Sequence, residues 1–278
     1  MVDRSSGKQS GRAGGLGVMP GVARTFPPVL LTHRMLKNVS VRPEGGGGGP
    51  GEYTIKKSCT FNGADERLTR TWSASPTLAG NWSFSVWIKR AAVAGKEGFF
   101  GPRIVSSKNG SLKWAADNQL EFYNDNAAQT IDRISTNTGG TDYLHLLVTF
   151  EVGAAGNPMG IFFDGTEETY SYSLDQGGTD YAFGRASTVH DIGQTTHDAG
   201  YFEGNLAEII FIDGLIISVG DVYAAGGKPV DPSGLTFGDD GFHLNFEDSS
   251  DMGKDVSGNG NDFTLTNIDS SNQSSTVP

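Results

Sequence analysis

The 278-residue chain holds a single cysteine, Cys59, so no internal disulfide can staple it. A body of this length buries roughly 70% of the surface that its unfolded chain would expose, enough for a core without covalent help. Apolar runs are short: the longest, Ala207 to Ile217, is broken by Glu208, Asp213 and Gly214, which excludes a membrane-spanning helix. No charged segment followed by an apolar one opens the chain, so the expectation is synthesis in a reducing cytoplasm without a signal peptide. Long helix-favouring tracts and heptads are also missing, and with them a coiled-coil stalk. Positive charge is scarce, with 21 Lys and Arg against 32 Asp and Glu. Nine of the basic and only three of the acidic residues fall in residues 1–57, which sets a basic arm before an acidic body.

What is abundant is glycine, at 40 residues, together with Asn, Asp, Ser and Thr. That composition fits many short strands joined by tight turns. Residues 1–52 show no sustained period and end in Gly45 to Gly49, Pro50 and Gly51, the pattern of an arm and linker. Phe26, Val29, Leu30 and Leu31 form its apolar cluster, and the arm reads either as a disordered tail or as a segment that orders against a neighbouring subunit and buries that cluster there. The arm's charges are thinly spread and not interleaved with aromatics, which argues against nucleic acid.

Period-two alternation begins at Tyr53 and is clear in Ser83-Phe-Ser-Val-Trp-Ile-Lys89, where Phe84, Val86 and Ile88 share one face. Asn109-Gly110, Asp164-Gly165 and Asp213-Gly214 are predicted as tight hairpin turns. Ile209 to Ile212 are consecutively apolar, so their strand should be covered on both faces. One short helical turn is predicted at Ser218 to Ala225, stopped by Gly226-Gly227. Residues 269–278 read as a polar tail.

Catalytic residues are not apparent. The E-x-D-x-x-E strand motif that would flank a glycosidic bond with carboxylates is absent, and Glu167-Glu168 and Glu203 with Glu208 have the wrong spacing. Asp255, Ser257, Asn259 and Asn261 place oxygens at alternate positions, with Gly260 sixth, like the first half of a calcium loop. Position twelve is Thr266 instead of a bidentate Glu, so an ion-free Asx turn is the favoured reading and calcium the alternative. His190-Asp191 and His197-Asp198 match no established zinc spacing. His145 and His243 alternate with apolar neighbours and belong on the opposite strand faces from them. Most of the aromatics are expected in the core; Tyr181 and Tyr201, on loops, are the candidates for stacking on a sugar.

Phe84-Ser-Val-Trp-Ile-Lys89, His145-Leu-Leu-Val-Thr-Phe150, Ile161-Phe-Phe-Asp-Gly165 and Phe202-Glu-Gly-Asn-Leu-Ala-Glu-Ile-Ile210 occur in the order of the laminin-G-like domains of the concanavalin superfamily, which the chain resembles. Thr60-Phe-Asn-Gly-Ala-Asp-Glu-Arg-Leu-Thr-Arg-Thr71 and Asp255-Val-Ser-Gly-Asn-Gly-Asn-Asp-Phe263 are similar to the bracketing motifs of sandwich proteins carried by tailed bacteriophages. The first departs from that pattern at Thr60 and is one residue short before Leu68. The resemblance implies an all-β, two-sheet antiparallel jelly-roll sandwich over residues 53–268, behind an extended N-terminal arm. It also implies a non-enzymatic virion protein, in capsid decoration or a tail, whose partners are other virion proteins and its own copies. The alternative is a lectin-like module for a host surface glycan. In such domains the segment around Phe242 to Ile268 opens the sandwich, whereas here it comes last, as in a circular permutant.

Overall fold

The computed structural model describes residues 52–73, 80–93, 95–103, 109–125, 130–151, 159–175, 182–196 and 200–278. Their strands begin with β1 (Ser58–Asn62), β2 (Arg67–Thr71), β3 (Trp82–Arg90), β4 (Glu97–Pro102), β5 (Asn109–Trp114) and β6 (Gln119–Asp125). β7 (Thr130–Thr138), β8 (Leu144–Phe150), β9 (Met159–Phe163), β10 (Thr166–Glu167), β11 (Tyr170–Asp175) and β12 (Val189–Ile192) follow. The last are β13 (Glu203–Asp213), β14 (Tyr223–Ala224), β15 (Lys228–Pro229), β16 (Phe242–Leu244), β17 (Thr264–Thr266) and β18 (Gln273–Ser274). One sheet runs β10-β9-β8-β3-β13-β1-β18, with β16 also on β13, and the other runs β11-β7-β6-β5-β4-β12-β2-β17. The pairings within both sheets are antiparallel, as expected for a jelly-roll sandwich.

The alternation read in β3 holds: Phe84, Val86 and Ile88 face the other sheet, where they meet residues such as Phe100 and Leu112 in one core. Aromatic rings fill much of it. Phe84 stacks on Phe100 with centroids 4.4 Å apart, and Trp82 stacks on Phe150, Phe183 and Phe211. Trp72, Trp82 and Trp114 are buried there; Trp87 instead faces outward and is buried with Ile55 and Ala207.

β13 is covered on both faces, as its apolar run requires. Ile209 and Phe211 enter the sandwich core, whereas Ile210 and Ile212 pack outward against Ile217, Val222, Leu235 and Phe237. A bulge makes this possible. Leu206 also faces the core, so strict alternation would turn residues 208 and 210 inward. The register with β3 shifts between Ala207 and Ile210, and Glu208 takes φ of 50°, which absorbs the extra residue. A non-glycine residue in that region costs about 1–3 kcal/mol. The Glu208 carboxylate offsets it by accepting hydrogen bonds from Tyr53 Oη and from His243 Nε2, the latter at 2.6 Å.

β1 and β16 lie end to end along the same edge of β13, one before the bulge and one after. The C-terminal segment thus completes its own chain's sheet, with Phe242, Leu244 and Phe246 in the core. Residues 269–278 go further than a polar tail, since β18 pairs with β1.

Two turns differ from expectation. Asn109-Gly110 starts β5; its glycine is needed because a Cβ there would lie 2.8 Å from the Phe183 ring and from Pro102. The helical turn is a short 3-10 segment, Val219–Asp221, and Gly226 and Gly227, at φ of 84° and 78°, turn the β14–β15 hairpin instead of ending a helix. Phe26, Val29, Leu30 and Leu31 lie outside the described residues.

His145 and His190 are buried, and desolvation brings both down to about 3 from 6.5. Each therefore takes up a proton in the unfolded chain before the folded one, so stability present above pH 6.5 drains as the pH falls toward 3. Asp132, which burial pushes up to about 6, and Glu97, also raised by burial, act in the opposite sense. A His190→Leu variant should thus lose stability on acidification more slowly than the wild type, by about 1.4 kcal/mol per pH unit below pH 6.5. Denaturant unfolding of both proteins between pH 8 and 4 measures this; parallel curves would refute it.

Candidate functional site

At one end of the sandwich the chain crosses between the two sheets, and a cavity of about 430 Å³ opens there. Asn137 and Thr138 close β7 on one side; Gly139, Gly140, Asp142, Tyr143 and Leu144 carry the chain into β8. Phe163, Asp164 and Thr166 come from the β9–β10 hairpin and Glu168 from the link between β10 and β11.

Local chemistry fixes each wall. Asp164 and Gly165 sit at φ of 46° and 78°, the two positive values that a two-residue type I′ hairpin needs, as their sequence predicted. The Asp164 carboxylate accepts a hydrogen bond from His145 N at 2.8 Å, which ties the hairpin to β8. Gly139 is obligatory, because a Cβ would lie 2.6 Å from the Trp114 ring; its N–H donates to Asn118 O at 3.0 Å. Phe163 stacks on the same indole, its ring centroid 6.0 Å from that of Trp114. Tyr143 is held by a 2.7 Å hydrogen bond from its hydroxyl to Thr276 O, and burial pushes its phenol pKa up.

Glu168 is the least exposed of the three acidic residues in the lining, at 6%. Its Oε1 accepts a hydrogen bond from the Asn137 side chain, while Oε2 has no hydrogen-bond partner. Asp142, Asp164 and Glu168 form no ion pair among the described residues, and no Lys, Arg or His lines the cavity. Aromatic walls, hydroxyls, an amide and unneutralised carboxylates are the groups that hold a polyhydroxylated ligand: rings cover its apolar faces and oxygens accept from its hydroxyls.

The residues singled out by sequence lie elsewhere. Tyr201 is half-buried and accepts a 3.2 Å hydrogen bond from Arg67 Nη1, away from the cavity lining; Tyr181 and the His197-Asp198 pair lie outside the described residues. His190 and Asp191, adjacent on β12, point to opposite faces. His190 packs against Trp72 with ring centroids 3.7 Å apart and planes tilted by 33°, and Asp191 receives Arg103 Nε at 2.7 Å and Thr69 Oγ1 at 2.7 Å.

The loop of Asp255, Ser257, Asn259 and Asn261 is a lock between segments. Asp255 Oδ1 accepts from His243 N and Ser257 N, and its Oδ2 from Ser257 Oγ and Asn261 N, all at 2.8–2.9 Å. Asn259 and Asn261 turn their amides onto the carbonyls of Gly238, Asp239 and Gly241. Asn261 Oδ1 receives Arg70, which also binds the fully buried Asp240 at 2.7 Å. A calcium ion would compete with these donors for the same oxygens. Among the described residues no group of three or more His, Cys, Asp or Glu is placed to hold a metal.

Sequence reasoning did not find the cavity. Its signals were Gly139-Gly140 beside Asp142-Tyr143, and Glu168, which reads merely as half of an acidic pair.

No known family profile matches the chain, and no curated protein does. Among solved structures it is similar to a putative carbohydrate-binding protein from Bacteroides ovatus, with a TM-score of 0.57 and 14% identity over 78% of this chain and 59% of that one. A native heptameric SAP-like pentraxin from Limulus polyphemus gives 0.51 and 14%, over 78% of this chain and 94% of that one. The fold is concanavalin A-like. At that identity the likeness is one of architecture.

Removing the lock should be costly. Asp255→Ala leaves buried N–H groups unpaired and should destabilise by about 2–4 kcal/mol, lowering Tm by several degrees in a thermal melt. A saturating chelator should leave the wild-type Tm where it is; a chelator-induced drop would show that an ion shares the loop.

Proposed function

We propose that this chain is a glycan-recognition module that binds without catalysis, and that the cavity between the β7–β8 connection and the β9–β10 hairpin is its binding site. The observation that carries this is the lining itself: Tyr143 and Phe163 beside Asn137, Thr138, Thr166 and the acidic residues Asp142, Asp164 and Glu168, in a space of about 430 Å³. That volume is within the range of sites for small ligands. The carbohydrate-binding description of one structural neighbour supports the reading. Its non-catalytic character is supported by the absence of the strand-borne carboxylate triplet.

A glycan array probed with the full chain should give saturable binding. Thr166→Trp, at an exposed hairpin position that lines the cavity, should abolish that binding without changing Tm. Binding undisturbed by this substitution would move the site elsewhere, and release of reducing ends from a bound polysaccharide would make the protein an enzyme.

The setting we propose is the surface of a virion, with residues 1–52 as the tether to other virion proteins or to copies of the chain. The opposed charges of arm and body support it. A truncation lacking residues 1–50 should melt like the full chain yet fail to join particles; normal incorporation would overturn the tethering role.

A further inference from the structure

One cation inside the sandwich has nothing to neutralise it. Arg133 on β7 is the register partner of Phe122 on β6 and stands two residues from Ile131, so its side chain enters the space between the sheets with those two core residues. It is only 3% exposed. Among the described residues it donates no hydrogen bond and forms no ion pair, whereas the other buried cations are engaged, Arg90 with Glu97 and Lys113 with Glu121. The adjacent Asp132 alternates to the outer face, opposite Tyr123, where burial and the charge of Glu121 raise its pKa to about 6.

The guanidinium lies over the Tyr170 ring, 4.9 Å from the centroid, so one of its flat faces is already covered. Nε is sealed off without a hydrogen-bond partner, and so is the Tyr170 hydroxyl. Neither Nη atom is sealed in this way, so the end of the fork is part of the little surface that the residue keeps. β7 and β11 are the last two strands of their sheet, which puts this opening at an edge of the sandwich. Arg133 is not among the residues that line the cavity described above.

A charge held in so apolar a place is tolerated when an opposite charge and hydrogen bonds meet it. The two Nη groups present parallel N–H donors in one plane, the spacing of the two oxygens of a carboxylate. A carboxylate is also flat, which suits a narrow opening beside a ring.

We infer that Arg133 anchors an anion site at the β7–β11 edge, and that its ligand is the carboxylate of a small acid. Thermal melts of the full chain at about pH 7, with sodium acetate or sodium glucuronate against sodium chloride at equal ionic strength and against glucose, test it. Both acids should raise Tm saturably by several degrees, and chloride and glucose should not. A midpoint for glucuronate about tenfold below that for acetate would make the acid part of a sugar; equal midpoints would make it a free organic acid, and either result supports the site. Arg133→Met should melt no lower than the wild type without ligand and ignore both acids. Should that variant fail to fold, the Nε–Hε resonance of Arg133 in the wild type decides, since it should shift with acetate at the midpoint of the Tm curve. No movement of Tm or of the resonance with either acid, or an equal rise with chloride, would overturn the site. Thr166→Trp should leave the acetate response intact, so this site and the glycan cavity stand or fall separately.

Discussion

Much of the sandwich hangs on the phase shift at Glu208. A strand that alternates strictly can send Leu206 or Phe211 into the core, but not both. By inserting one residue, β13 keeps its core face continuous past the bulge and turns Ile210 and Ile212 to the covering segment. The same point divides its outer edge between β1 and β16, so the N-terminal strand of the body and the returning C-terminal strand share one docking rail. Glu208 is bonded to Tyr53 ahead of β1 and to His243 on β16, and one carboxylate thereby holds both partners at the place where the rail changes hands.

Buried carboxylates repeat this role where the late segments return. Asp240 is fully buried and takes hydrogen bonds from Arg70, from Ser73 N and from Ser73 Oγ, which fastens the approach to β16 onto the far sheet. Asp255 then fastens the turn beyond β16 to its own strand. Each sits among several donors, the condition under which a buried charge is tolerated. A protein with no disulfide has its chain end secured by polar locks of this kind.

The fold was legible because strands such as β3 and β13 write their environment directly into residue order: alternation where one face is buried, an unbroken apolar run where both are. The two-residue hairpin at Asp164-Gly165 was legible for the same reason, since positive φ leaves a chemical mark. Asn109-Gly110 carries the same mark for another cause, the passage of Phe183 overhead, and a sequence does not separate the two. The cavity was illegible because its walls, residues 137–144 and 163–168, become neighbours only when the chain changes sheets. Tyr201 read as a ligand platform from its loop position, while the structure engages its hydroxyl with Arg67. The motif that suggested calcium is real as a pattern of oxygens, and those oxygens are occupied by the loop's own donors.

One hydrogen-bond acceptor near the chain's end has a mechanical consequence. Thr276 O receives both the Ser58 hydroxyl of β1 and the Tyr143 hydroxyl of the cavity wall, each at 2.7 Å. Tension applied through residues 275–278 therefore loads the wall of the cavity and β1 of the sheet together. A ligand that stiffens Tyr143 would resist such a pull, and a pull that frees Tyr143 would loosen the ligand, so that grip and load become coupled through a single carbonyl.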